Sequence, residues 1–64
     1  MRVEVFDYTD SSGTSILVDD ECTRSDAQFM VTSDLLTIEG EDYQVFETKF
    51  DLWKSDLKIA VRKN

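Results

Sequence analysis

Residues 57–62 read Leu-Lys-Ile-Ala-Val-Arg, and this alternation decides the fold of the chain. Successive side chains of a β-strand point to opposite faces, so the large apolar residues share one face and the basic ones share the other. The apolar face consists of Leu57, Ile59 and Val61. The pattern therefore predicts a strand with one buried face and one solvated, basic face.

The segment before this strand predicts a hairpin. Residues 38–43 read Ile-Glu-Gly-Glu-Asp-Tyr, which places a turn glycine between two runs rich in strand-forming residues. We expect one strand over residues 35–38 and a long strand over residues 43–51. A second turn at about residues 52–56 then leads into the last strand.

The amino-terminal segment predicts a second hairpin. Residues 3–8 and 14–18 are rich in β-branched and aromatic side chains, and turn formers fill residues 9–13. We expect Val3 and Val5 to share a face with Ile16 and Val18 across this hairpin.

The middle of the chain is polar. A short helical turn around residues 20–28 is expected, capped by Asp20 or Ser25, because these side-chain oxygens can accept hydrogen bonds from free backbone amides. Residues 29–32 are expected to be extended. The order of elements then suits a single all-β domain of residues 1–64, a small antiparallel five-stranded open barrel or strongly twisted sheet.

The carboxyl-terminal half also resembles a known group of proteins. Residues 36–45 read Leu-Thr-Ile-Glu-Gly-Glu-Asp-Tyr-Gln-Val, and Phe50-Asp-Leu52 and Leu57-Lys-Ile59-Ala-Val61 follow. This half resembles small SH3-like β-barrel proteins encoded by bacteriophages. The resemblance implies an SH3-like barrel and a phage origin, and it supplies no catalytic or binding residues.

Charge and composition limit the partners and the location. The chain has a formal net charge of -7, which opposes approach to nucleic acids and anionic lipids. Residues 1–47 hold twelve acidic and two basic side chains, whereas residues 48–64 hold two acidic and five basic ones. No signal peptide or membrane span is recognisable, and a single cysteine cannot form an intrachain disulfide. We expect a cytoplasmic protein, in the host cytoplasm if it is phage-encoded, without membrane association.

The residues needed for common catalytic and metal sites are missing. The chain has no histidine, which is the usual general base near neutral pH and the commonest transition-metal ligand. Cys22 is alone, and we interpret it as a structural thiol. A calcium loop starting at Asp7 would place Ser12 and Val18 where glycine and glutamate are required. We expect no enzyme activity, no metal and no cofactor.

Two acidic clusters are candidate partner-binding sites. The first consists of Asp19, Asp20, Glu21 and Asp26, and the second of Glu39, Glu41 and Asp42. Each could contact a basic surface on another protein, for instance by imitating the spacing of DNA phosphates. The alternative is that these acidic turns only keep a small barrel soluble.

Trp53 is the third candidate, in an aromatic segment with Phe46 and Phe50. Seven aromatic residues exceed what one thin core requires, so some aromatic surface is expected to be exposed. Trp53 is either an interface anchor or a lid that folds over one end of the barrel.

The function that we expect is a non-enzymatic protein-binding module. A phage-encoded inhibitor that docks an acidic surface on a basic host protein, such as a nucleic-acid-binding or defence enzyme, fits the charge and the size. Two alternatives stay open. One is a homo-oligomer in which acidic and basic surfaces meet, and the other is a single-stranded nucleic-acid binder. The latter would use Lys49, Lys54, Lys58, Arg62 and Lys63 with neighbouring aromatic side chains.

Overall fold

The computed structural model describes residues 1–64, which form five strands and one helix. The elements are β1 (Arg2–Asp7), β2 (Ser15–Asp19), α1 (Arg24–Thr32), β3 (Leu35–Ile38), β4 (Glu41–Asp51) and β5 (Asp56–Lys63). The strands form one sheet in the order β2-β1-β5-β4-β3, which curls strongly into a half-barrel. The predicted small all-β open barrel is therefore confirmed, with 53% of the residues in strands.

One of the two inner strand pairs is parallel, which corrects the expectation of a fully antiparallel sheet. Strands β1 and β5 run in the same direction, with Val3 opposite Leu57 and Val5 opposite Ile59. Every other neighbouring pair is antiparallel. A parallel pair needs a long crossover connection, and here the whole segment from β2 to β4 provides it. Short-range patterns cannot reveal such a pairing because it depends on residues far apart in the chain.

The core lies on the concave face of the half-barrel. Its fully buried side chains are Val3 and Val5 of β1 and Ile59 and Val61 of β5. Burying a Val or Ile side chain contributes about 1.5–3 kcal/mol, so this short row is the main source of stability. The predicted buried face of β5 is confirmed, whereas Ala60 is also buried although it lies on the face that was expected to be solvated.

The first hairpin forms as predicted, but its register differs. A bulge between Val5 and Phe6 shifts the pairing, so that Val5 lies opposite Leu17. Leu17 packs against the core together with Ile16, whereas Val18 is exposed. The expectation that Val18 faces the core is wrong, because a shift of one residue exchanges the two faces of a strand.

The helix begins and ends later in the chain than predicted. α1 spans Arg24–Thr32, so the expectation that residues 29–32 are extended is wrong, and the expected turn around residues 20–28 is displaced. Its cap is Thr23 rather than Asp20 or Ser25, because the Thr23 hydroxyl oxygen accepts a hydrogen bond from the Asp26 amide at 3.1 Å. At nine residues, α1 is too short to cross a lipid bilayer, and the chain has no other helix.

Packing explains why this segment is helical. Ala27 is buried against the concave face and Met30 packs beside it, a spacing of three residues that places both side chains on one face of a helix. The Ser33 hydroxyl donates to the Phe29 carbonyl at 2.6 Å and closes the last turn. A helix this short is marginal by itself, so the sheet stabilises it.

Asp10 organises the turn between β1 and β2, and we predict a pH dependence from it. Its Oδ1 accepts hydrogen bonds from the Ser12 amide at 2.9 Å and the Ser12 hydroxyl at 2.7 Å. The hydrogen bonds from Ser12, and then Thr14, lower the pKa of Asp10 from 3.8 to about 2. The pKa of Asp10 is lower in the folded protein than in the unfolded chain. The ionised Asp10 carboxylate therefore contributes its full stabilisation of the folded state at a pH above the unfolded pKa, and this contribution is lost as the pH falls through the folded pKa.

The measurement is an NMR titration of the Asp10 carboxyl carbon, together with unfolding experiments between pH 5 and about 2. Asp10→Asn is the matched variant, since it keeps the turn but cannot titrate. We expect it to flatten the pH dependence of stability in this interval. An Asp10 carboxyl that titrates at 3.8 in the folded protein would contradict the prediction.

Candidate functional site

Trp53 lies in the β4–β5 turn, residues 52–55, and points into solvent. Asp51 fixes this turn, because its Oδ1 accepts hydrogen bonds from the backbone amides of Trp53 at 3.0 Å and Lys54 at 3.2 Å. The Trp53 side chain is 98% exposed. The interpretation of Trp53 as a lid over the barrel is therefore wrong, and its role as an interface anchor stays a prediction.

An apolar groove lies next to this turn, between α1 and the ends of β4 and β5. It has a volume of about 470 Å³. Its apolar lining consists of Met1, Ala27, Val31, Phe50, Leu52 and Leu57. Leu52 is 82% exposed, and Val31 and Phe50 are also exposed at the groove. At this groove, α1 leaves part of the concave face of the sheet uncovered.

The first acidic cluster lies at the same end of the sheet as Trp53. Strands β2 and β4 run antiparallel to β1 and β5. The carboxyl-terminal ends of β2 and β4 therefore lie beside the amino-terminal ends of β1 and β5. The register shows this directly, with Val3 opposite Asp19 and Asp51 opposite Asp56. We call this region the acidic end. It comprises Asp19, Asp20, Glu21 and Asp26 together with the β4–β5 turn.

Arg2 neutralises part of the acidic end. Its guanidinium lies 3.2 Å from the Asp56 carboxylate and 3.4 Å from that of Asp20. The hydrogen bond to Asp56 raises the pKa of Arg2 above its ordinary value. Glu21 forms no ion pair with a basic side chain, and neither does Asp26. These two carboxylates are therefore free to attract a positively charged partner.

The second acidic cluster lies at the opposite end of the sheet. Glu39 and Gly40 form the β3–β4 turn with positive φ angles of 51° and 80°, as in the tight turns that join antiparallel strands. Glu41 pairs with Lys63 at 3.4 Å, and Asp42 accepts a hydrogen bond from the Thr37 hydroxyl at 2.7 Å. The structure therefore separates the two clusters by the length of β4, and one flat partner surface at the acidic end would not reach both.

The convex face of the sheet carries a third group of side chains. A shallow cleft lies there. Its lining consists of Phe6, Tyr8, Glu47, Lys49, Lys58 and Ala60. The ring of Tyr8 stacks on that of Phe46, with centroids 4.1 Å apart and an interplanar angle of 22°. Of the other basic residues considered above, Arg62 donates to the Gln44 side chain, whereas Lys54 lies in the β4–β5 turn.

Cys22 is buried beside the core and is the only thiol. Burial raises the pKa of Cys22, and the nearby carboxylates of Asp19 and Asp26 raise it further. A raised pKa disfavours the reactive thiolate. No group of three or more potential ligands is positioned to hold a metal ion.

Sequence reasoning missed two parts of these surfaces. The sequence did not predict that Val31 lines the groove, because residues 29–32 were expected to be extended rather than helical. Tyr8 directly follows β1 and stacks on Phe46 of β4 across β5, so only the sheet order brings the two rings together. The expected exposure of aromatic surface is confirmed for Phe46, Phe50 and Trp53.

Comparison of the chain with protein-family models, with curated proteins and with solved structures found no match.

Proposed function

We propose that this protein is a non-enzymatic protein-binding module that docks through its acidic end. The observation that carries the proposal is the position of Trp53 on a fixed turn, almost fully exposed, beside the apolar groove. An exposed apolar surface of this kind costs free energy in water and is characteristic of interaction sites. Tryptophan is also among the residues that contribute most to binding when an interface desolvates them.

The groove and the turn together suggest how a partner would bind. An apolar side chain of the partner could enter the groove between Val31 and Leu52, while Trp53 packs against the surrounding surface. The Asp51 hydrogen bonds already hold the turn, so less conformational entropy is lost on binding than for a flexible loop. A preformed site of this type favours slow dissociation.

The charge of the acidic end selects the kind of partner. Glu21 and Asp26 are unpaired, and the whole chain carries -7, so a basic protein surface would be attracted over a long range. We infer a partner that presents an apolar side chain surrounded by lysine or arginine. A phage-encoded inhibitor of a nucleic-acid-binding or defence enzyme would meet such a surface, and the sequence resemblance described above supports that origin.

The test begins with capture of the partner from a bacterial lysate at low salt. Immobilised wild-type protein is compared with Trp53→Ala and with Phe29→Ala, which removes an exposed aromatic ring on α1 outside the apolar groove. A partner retained by wild type and Phe29→Ala but lost from Trp53→Ala supports the proposal. Equal capture by all three proteins, or light scattering that shows only self-association, contradicts it.

Charge reversal at the acidic end gives a quantitative prediction. We expect Asp20→Lys combined with Glu21→Lys to reduce the association rate by about tenfold or more at low salt, and to weaken its salt dependence, because steering depends on charge near the interface. Surface plasmon resonance with the captured partner measures both effects. The dissociation rate should change much less.

The matched control is Glu41→Lys combined with Asp42→Lys, at the other end of the sheet. It changes the net charge by the same amount, from -7 to -3, far from the proposed interface. A smaller effect on association is expected. If the two double variants slow association equally, the partner does not bind preferentially at the acidic end.

A further inference from the structure

The convex face of the sheet has a β-bulge beside an aromatic pair. The pairing of β4 with β5 shifts between Val45 and Glu47, so Phe46 lies outside the regular alternation. Bulges re-aim side chains and are common next to binding sites. Here Phe46 stacks on Tyr8 from the other side of β5, and the two side chains remain 53% and 52% exposed. The result is a half-open aromatic surface on a face that has no helix.

Two lysines lie beside this aromatic surface. Lys49 of β4 is directly opposite Lys58 of β5, and both line the cleft of about 290 Å³ that contains Phe6 and Tyr8. Like charges directly opposite each other in a sheet are destabilising. Neither lysine forms a direct ion pair. Glu4 lies opposite Lys58 on β1, where its carboxylate binds Ser15 and Arg2, and the charge of Lys58 also helps to lower the pKa of Glu4. Two adjacent ammonium groups without direct ion pairs can contact an anion.

We propose that this convex surface binds single-stranded nucleic acid, a function separate from protein binding at the acidic end. An unpaired base can stack on the exposed part of Tyr8 or Phe46 while its phosphate contacts Lys49 and Lys58. A duplex is a poor occupant because the faces of its bases are already stacked. The cleft beside the aromatic pair is lined by two lysines and one glutamate, so its charge differs in sign from that of the chain as a whole.

The cleft also contains one carboxylate, that of Glu47. It reduces the positive charge locally, so affinity is expected to be modest and strongly dependent on salt. A carboxylate can accept a hydrogen bond from the amino group of cytosine, which makes a preference for cytosine over thymine the expected order.

The test is fluorescence anisotropy with labelled oligo-dC and oligo-dT of about ten nucleotides at about 50 mM salt. Lys49→Gln combined with Lys58→Gln should weaken binding about tenfold or more and reduce the slope of log K against log salt by about 1.4, at roughly 0.7 for each lost phosphate contact. Phe46→Leu should weaken binding about fivefold or more through lost stacking. Lys54→Gln in the β4–β5 turn is the matched control and should leave affinity and slope unchanged.

The double lysine variant also has an expected effect without any ligand. Removal of the like-charge pair should leave the melting temperature unchanged or raise it slightly, so loss of binding could not be attributed to unfolding. The proposal is overturned if no anisotropy change occurs at this salt, if Lys54→Gln weakens binding as much as the double variant, or if a duplex of equal length binds more tightly. Binding of free nucleotide or inorganic phosphate at this face without binding of the oligonucleotides would also overturn it.

Discussion

Replacement of Ile59 by alanine is expected to lower the free energy of unfolding by about 2–5 kcal/mol. Ile59 has no exposed surface and lies at the centre of the sheet, between Val5 of β1 and Thr48 of β4. The substitution removes apolar contacts and leaves a cavity that strands on both sides cannot easily fill. A domain of this size has a total stability of only about 3–10 kcal/mol, so the substitution removes a large part of the free energy that keeps the chain folded.

Urea unfolding followed by circular dichroism measures this effect. Leu52→Ala is the matched control, because it also shortens an aliphatic side chain but at a position that is 82% exposed. Its free energy of unfolding should stay within about 0.5 kcal/mol of the wild-type value. Similar losses for the two variants would mean that the core is not centred on β5.

Replacement of Trp53 by alanine is expected to separate binding from stability. The side chain contacts almost nothing in the free protein, so the melting temperature should change by less than about 4 °C. Complex formation should suffer much more, with dissociation from the partner about 30-fold faster or more, which corresponds to about 2 kcal/mol. Melting curves test the first statement without any partner, and surface plasmon resonance tests the second.

Phe29→Ala is the control for this prediction as well, since Phe29 is an exposed aromatic residue on the outward side of α1. It should alter neither the dissociation rate nor the fold. A melting temperature that falls by 10 °C or more in Trp53→Ala would contradict the exposed position of the ring. An unchanged dissociation rate would contradict its role as an anchor.

The parts of the fold that depend on local patterns could be predicted from the sequence. The alternation in residues 57–62 correctly indicated which face of β5 is buried, and Gly40 correctly indicated the turn between β3 and β4. The first hairpin was also predicted, although its faces were not. That error has a specific cause, because the bulge at Val5 shifts the register by one residue and a bulge has no reliable sequence pattern.

The helix could not be placed from the sequence because local preference and tertiary packing disagree. Residues 29–32 read Phe-Met-Val-Thr, a run that favours a strand by propensity. The Thr23 cap and the packing of Ala27 and Met30 on the sheet favour a helix instead, and packing prevails. The parallel pairing of β1 with β5 was missed for a related reason, since no local pattern specifies the direction of a distant strand.

The sequence indicated which residues are candidates for binding, but not where those residues lie relative to one another. Trp53 and the acidic residues of the first cluster were identified from residue type and from their position in turns, which are usually exposed. Their location at one end of the molecule depends on strand directions and was not predicted. The stack of Tyr8 on Phe46 requires both the bulge in β4 and the order of the strands, so it could be recognised only in the folded protein.

The central pairing of the first strand with the last also determines when this protein can fold. Arg2 and Asp56 are 54 positions apart, yet they are neighbours in the middle of the sheet. A contact between residues so far apart in the chain closes a large loop, and the entropy of loop closure is lost before the contact stabilises the fold. Such contacts therefore slow folding. During synthesis, β1 and β2 must wait for β5 to leave the ribosome before either can bury its apolar face. Until β5 has emerged, the apolar faces of β1 and β2 are therefore exposed to proteases and to aggregation.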